Sequence, residues 1–249
     1  VRQAQRGTVY LVGAGPGSPD LITLRGWHLL QTAEVVVADS LADARLCEGL
    51  AVELIDAGKR RGQHGMGQAA INALLVELAQ AGKAVVRLKG GDPFVLGRGF
   101  EEWQALATAG VACEIVPGVS SAVAGPALAG IPVTQRGMAD GFTVVSAHQQ
   151  DGGQPAIPPF EPRCTLVVLM GVATLSLWWP MLSARGYPDD LPVAWVTWAG
   201  RADQRTLHTT VATCVADAEM AGLQSPSVAV IGRVAALSLP TALATEAAP

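Results

Sequence analysis

Three short stretches hold the residues best suited to chemistry, and each follows a run that reads as a β-strand. The first is Gly13-Ala14-Gly15-Pro16-Gly17-Ser18-Pro19-Asp20. Glycines let main chain approach a ligand with no side chain in between. The stretch fails as a dinucleotide fingerprint, because Ser18 holds the place of the third glycine in GxGxxG. Pro16 and Pro19 also delay the following helix, which spoils a phosphate seat at its N-terminus. Asp39, at the end of the next strand, stands where a ribose-binding acid would. A tight strand-to-helix turn is the plainer alternative. The second stretch is Arg87-Leu88-Lys89-Gly90-Gly91-Asp92-Pro93-Phe94. No GK[ST] follows it, so it is not a P-loop. Two glycines, an acid and a proline make a corner lined by backbone, better suited to a neutral or cationic nucleoside than to a triphosphate. An ordinary Gly-Asp-Pro turn is the alternative here. The third is Pro117-Gly118-Val119-Ser120-Ser121, where either serine would also serve as a helix N-cap.

Basic residues cluster in one segment: Lys59, Arg60, Arg61, Lys83, Arg87, Lys89 and Arg98. They form either a solvated surface or a rim for a polyanion. With a Debye length of about 8 Å, a local rim outweighs the distant formal net charge of −4. That overall charge argues against a general nucleic-acid or anionic-membrane binder. Met170-Gly171 ends another strand, and a methionine there is usually core. His28, His64, His148 and His208 show no metal-ligand spacing. Cys47, Cys113, Cys164 and Cys214 stand far apart with no CxxC, which suits reduced structural thiols. Cys164 to Leu182 is uncharged, but Gly171 and Pro180 interrupt it, so it reads as a buried strand and helix rather than a membrane span. Val1–Gly7 is polar and runs straight into a strand, so no secretory leader is expected. An opening Val suits a piece of a longer polypeptide.

The elements that must position these residues alternate. Strands are expected at Thr8–Val12, Val35–Ala38, Val52–Asp56, Ala84–Leu88 and Ala112–Val116. Helices are expected at Leu21–Thr32, Gln68–Ala81 and Phe100–Thr108. Ile71, Leu74, Leu75 and Leu78 give the second of these an apolar face, and Gly82 stops it. After Pro117-Gly118 the pattern restarts. Helices are expected at Ser120–Ala129, Leu175–Arg185 and Thr213–Ala221, with strands at Phe142–Ser146, Thr165–Met170, Pro192–Thr197, Thr206–Val211 and Ser227–Ile231. A Gly/Pro/Gln-rich loop fills Gln149–Arg163, and the Ala-rich tail is expected to fray. Low charge and a hydrophobic content of 50% suit sheets covered by helices. The expected fold is therefore α/β: two small domains with mainly parallel five-stranded sheets, at 1–117 and 118–240, and a disordered tail at 241–249. Ligands of such domains gather outside the carboxyl ends of strands.

Taken in order, VYLVGAGPGSPDLITLRG, GKRRGQH, VVRLKGGDPFVLGRG and VPGVSSAVAGPALAGIPVTQR resemble the tetrapyrrole methylase family. TLVVLMG, PVAWVTWAG and SPSVAVIGRV extend the resemblance to about 225 of the 249 residues, Thr8 to Val234. Within the family the match favours members that methylate uroporphyrinogen III over later precorrin methylases. The resemblance implies two domains with S-adenosylmethionine (SAM) bound in the cleft between them and a homodimer. SAM chemistry of this kind calls for no metal, the scattered cysteines suit a cytoplasmic location, and the charge and the interrupted apolar run argue against nucleic-acid and membrane partners. It implies methyl transfer to two pyrrole carbons, giving precorrin-2 for sirohaem or cobalamin. By position, Pro16, Gly90, Gly91, Asp92, Val95, Ser120, Ser121, Met170, Ala199 and Ser227 would line the SAM site. Asp39 matches the proton acceptor and Lys59 the donor. Arg98, Glu101 and Arg136 match positions near the tetrapyrrole. The chain departs from the family pattern at Ala38 and Ser40, where Tyr and Arg usually flank the acid, and Ser40 removes one carboxylate partner. It departs also at Phe100, Gln135 and Ala199-Gly200.

Two other classes of function compete. One is a precorrin methylase acting at a different ring position. The other is a nucleotide-binding module without chemistry, either an NAD sensor, against which the absent GxGxxG argues, or a methylase-like subunit that binds S-adenosylhomocysteine (SAH) without turnover.

Overall fold

The computed structural model describes residues 3–58, 65–148 and 153–239. The chain divides into two units, one ending at Ser120 and the other starting at Ser121. The expected tail and the residues 149–152 of the long loop lie outside the described residues.

In the first unit the elements are β1 (Thr8–Gly13), α1 (Leu24–Thr32), β2 (Val35–Ala38), β3 (Glu53–Asp56), α2 (Gln68–Gln80), β4 (Ala84–Lys89), α3 (Gly99–Thr108) and β5 (Ala112–Val116). The strands lie in the order β3-β2-β4-β1-β5, and every pairing is parallel. Side chains alternate between faces. Val12, Val36 and Val86 pack with Leu29 and Leu30 of α1. Val9, Leu11, Val35, Val37 and Val85 pack on the other face with Ile71 and Leu75 of α2 and Leu106 of α3. Helix α1 starts at Leu24 rather than Leu21. Pro19–Leu21 forms a separate 3-10 turn, and the Thr23 hydroxyl then caps α1 by accepting from the Gly26 N–H at 3.2 Å.

The second unit comprises α4 (Ser121–Leu128), β6 (Gly141–Ser146), β7 (Cys164–Leu169), α5 (Leu175–Trp178), α6 (Pro180–Ala184), β8 (Pro192–Thr197), β9 (Arg205–Thr210), α7 (Cys214–Met220) and β10 (Ser227–Ile231). Its sheet runs β6-β7-β10-β8-β9 and is mixed: β6–β7 is parallel, and the other three pairings are antiparallel. This corrects the expectation of a mainly parallel second sheet. The cause is the short link Trp198–Gln204, which is too brief for a parallel crossover and returns the chain as a hairpin. From β9 onward the chain therefore runs in the opposite sense, and β10 enters antiparallel to both its neighbours. The single helix expected over Leu175–Arg185 is two short ones, broken at Trp179-Pro180, because Pro180 has no N–H to continue the ladder. Trp178, Trp179 and Trp195 form the centre of this unit's larger core. No helix among the described residues is long and apolar enough to cross a membrane.

Candidate active site

A parallel sheet brings the carboxyl ends of its strands to one edge. In the first unit the loops after β1, β4 and β5 meet there, main chain against main chain. The Gly15 N–H donates to the Gly91 carbonyl at 3.2 Å, and the Gly91 N–H donates back to Gly15 at 2.7 Å. A Cβ on Gly13 would fall 2.5 Å from the Gly91 oxygen and 2.6 Å from Gly118 Cα. A Cβ on Gly118 would fall 2.3 Å from that same oxygen. No side chain fits in this seam. Asp92 closes it: its Oδ2 accepts from the Gly118 N–H at 3.0 Å and its Oδ1 from the Phe94 N–H at 2.8 Å. Pro16 and Gly90 flank the seam half-buried, Gly91 is buried within it, and Val95 is exposed. Ser120 ends the unit, half-buried.

Asp39 follows β2 at the same edge, with its N–H donating to the Leu88 carbonyl at 3.0 Å. Its carboxylate pairs with the Arg87 guanidinium, and its Oδ2 lies 3.7 Å from Lys89 Nζ. Arg87 and Lys89 are 1% and 2% exposed. They are neither a solvated surface nor an accessible rim, which corrects that part of the basic-cluster expectation. Both reach Glu102 of α3, a residue the sequence did not single out. Its one available signal was spacing, since Glu102 precedes the buried Leu106 by one helical turn. Lys59, with Arg60, Arg61 and His64, lies outside the described residues.

Arg98 opens α3 in the left-handed conformation, φ 59°. Its guanidinium grips Glu101 through two hydrogen bonds, at 2.8 and 2.7 Å. The pairing pushes the Arg98 pKa up and holds the Glu101 carboxyl below its usual range, chiefly through those hydrogen bonds. Both side chains are about half exposed, so this surface pair adds little to stability. Phe94, Phe100 and Trp103 form an exposed aromatic row beside them, with Phe100 stacked on Trp103 at 5.5 Å.

In the second unit, Met170, Ala199 and Ser227 gather at one edge, because β7 and β8 end where antiparallel β10 begins. Met170 is exposed, in the left-handed conformation at φ 58°. Gly171 behind it accepts from Trp178 Nε1 at 2.9 Å. Trp198, just before the buried Ala199, is left-handed too, at φ 50°. Non-glycine residues in this region are uncommon and mark built corners. Ser227 is buried, its Oγ bonded to Thr197 Oγ1 at 2.7 Å and donating to the Gln224 carbonyl at 2.5 Å. Its hydroxyl is thus engaged within the fold. Ser121 is the first residue of α4, whose Ala122 packs on Val167 and Val228. Arg136 is exposed on the loop before β6. Among the described residues no group of His, Cys, Asp and Glu could hold a metal ion. A groove between α2 and α3, lined by Asn72, Val76, Gln80 and Ala105, carries none of these residues.

The chain belongs to the tetrapyrrole (corrin/porphyrin) methylases, whose family model matches residues 8–214. A relative from Synechocystis sp., described as uroporphyrinogen-III C-methyltransferase, is 41% identical, covering 98% of this chain and 94% of its own length. Siroheme synthase 2 of Halorhodospira halophila is 44% identical over 95% of this chain, which spans about half (48%) of that protein. Among solved structures, the uroporphyrin-III C-methyltransferase of Thermus thermophilus complexed with SAH is 39% identical, with a TM-score of 0.80, over 91% of this chain and 98% of its own.

Proposed function

We propose that the chain transfers methyl groups from SAM to C2 and C7 of uroporphyrinogen III, giving precorrin-2 by way of precorrin-1, for sirohaem and cobalamin biosynthesis. The observation that carries this reading is the pairing of a side-chain-free glycine corner with a half-exposed acid, Asp39, at the next strand end of the same sheet. The likeness to relatives described as uroporphyrinogen-III C-methyltransferases supports it.

The glycine corner suits the donor. It lets a ligand approach bare main chain, with Pro16 and Val95 as apolar contacts. Pro16, Gly90, Gly91, Val95 and Ser120 are assigned to the donor on the first unit, and Ser121, Met170 and Ala199 on the second. Asp92 and Ser227, whose polar atoms are engaged within their own units, order these loops and strand ends. The donor, when bound, supplies a methyl carbon made electrophilic by its sulfonium. The chain must then align an electron-rich pyrrole carbon with it, and alignment alone is worth several powers of ten in rate. The C–S bond breaks as the new C–C bond forms, and SAH leaves neutral. The positive charge passed to the ring is discharged by loss of a proton from another position of the macrocycle, since the methylated carbon itself bears none. Asp39 is assigned to accept that proton and Lys59 to donate in return. The substrate is rich in carboxylates, and Arg136 and Arg98 suit them through bidentate pairing, Arg98 by exchanging its Glu101 partner. The enzyme is proposed to act as a homodimer in the cytoplasm.

The test is incubation with SAM and enzymatically made uroporphyrinogen III, followed by mass spectrometry. Two added methyl groups are expected. No methylation, with SAH still bound in calorimetry, would reduce the chain to a binding module. Methylation only of a later precorrin would move it to another ring position.

A further inference from the structure

Asp39 is the one solvent-reachable member of a buried charge network. Arg87 and Lys89 stand two apart on β4, so both side chains leave the same face of the sheet. Glu102 meets them there from α3 and is 0% exposed, whereas the Asp39 side chain is 30% exposed. A single oxygen, Glu102 Oε1, accepts from Arg87 Nε at 3.1 Å, Lys89 Nζ at 2.9 Å and Gln68 Nε2 at 3.2 Å. Glu102 Oε2 is buried and has no hydrogen-bond partner among the described residues. Arg87 also donates through Nη1 to the Val37 carbonyl at 3.2 Å, which holds the guanidinium against β2 just before Asp39. Each cation is thus shared between a sealed carboxylate and an accessible one.

Such a network is poorly explained by stability. Taking these charges out of water costs more than their pairing tends to return, and apolar packing would serve the core at least as well. What the network does fix is the orientation of its accessible member. Resting on the reading of Asp39 as proton acceptor, we propose that Glu102 is a positioning residue for Asp39. It draws Arg87 and Lys89 inward, so that Asp39 is oriented by them without being enclosed. Buried as it is, Glu102 reaches neither donor nor substrate. Glu102→Gln keeps the shape but removes the charge, and both cations then turn on Asp39 and clamp it against accepting a proton.

The test is a double-mutant cycle on the full chain. It uses single-turnover methylation of uroporphyrinogen III, with SAH calorimetry as the binding control. E102Q is expected to lower the rate about 10- to 100-fold with SAH affinity within about twofold of the parent, and Glu102→Asp to recover part of the loss. In the Asp39→Asn background E102Q is expected to cost less than about twofold more, since it acts through a group already removed. Equal losses in both backgrounds would overturn this inference and leave Asp39 standing. So would a fall in SAH affinity that matches the rate loss. An Asp39→Asn variant at full rate would remove the Asp39 reading and this inference with it. Should E102Q fail to fold, Gln68→Ala, which removes one donor to the same oxygen from the half-buried start of α2, carries the cycle. A loss of about three- to tenfold is then expected only where Asp39 is present, and a loss in both backgrounds is again fatal.

Discussion

Asp92 holds two loops with one carboxylate, and this makes its replacement severe. Asp92→Ala strands the Phe94 and Gly118 N–H groups. We expect a loss of about 2–3 kcal/mol in urea denaturation, and at least a tenfold weaker SAH affinity by calorimetry. Asp39→Asn is expected to slow single-turnover methylation by about 10²–10⁴-fold, with SAH binding unchanged. Burial acts on other residues. It pushes the Cys113 thiol up to about 12, the Cys214 thiol to about 11 and the Tyr187 phenol to about 12, from ordinary values of 9.0 for the thiols and 10.0 for the phenol. The folded chain therefore keeps protons that the unfolded chain releases. Stability from these groups is complete below pH 9 and is lost as pH climbs toward 12. Urea midpoints at about pH 8 and pH 10.5 should differ accordingly, the second being lower. The acid at Asp39 and the glycines were legible in the sequence, because each is a local signal after a strand. Glu102 was not. It lies between Glu101 and Trp103, both exposed, and only helical spacing separates its face from theirs. Arg87 and Lys89 read as part of a basic run because nothing in a one-dimensional list shows a carboxylate arriving from another helix.

The seam of Gly13, Gly91 and Gly118 is where elements meet with least tolerance. Gly118→Ala places a methyl 2.3 Å from a carbonyl oxygen that is itself fixed by the Gly15 pairing. Strain of this kind costs about 1–3 kcal/mol, and we expect a matching drop in thermal stability together with lost SAH binding. Gly67→Ala is the control: the site precedes α2, is exposed, has φ −66° and offers open space. It should stay within about 0.5 kcal/mol of the parent. Strands and helices of the first unit were legible because parallel strands buried on both faces leave continuous apolar runs. The second unit was legible element by element but not in pairing. Periodicity marks β8, β9 and β10 as strands, yet the direction of each depends on whether a seven-residue link turns back or crosses over. The Trp179-Pro180 break was similarly hidden, since apolar residues continue through it without interruption.

For the whole molecule, sedimentation should give twice the 25.7 kDa of one chain if the proposed homodimer forms, and a single chain mass would count against it. The two units hold separate cores of their own, one between helices on both faces of a parallel sheet, the other gathered around three tryptophans. The glycine seam has a further consequence for how such a chain can change. Three separate segments share one contact with no room for adjustment, so none can be lengthened or re-aimed by itself. With the seam assigned to the methyl donor as proposed, a variant suited to a different methyl source would need coordinated rebuilding in all three places. Exposed residues of the same unit, such as Phe100 and Leu41, are under no such constraint. On that proposed assignment a new donor is not reachable one substitution at a time.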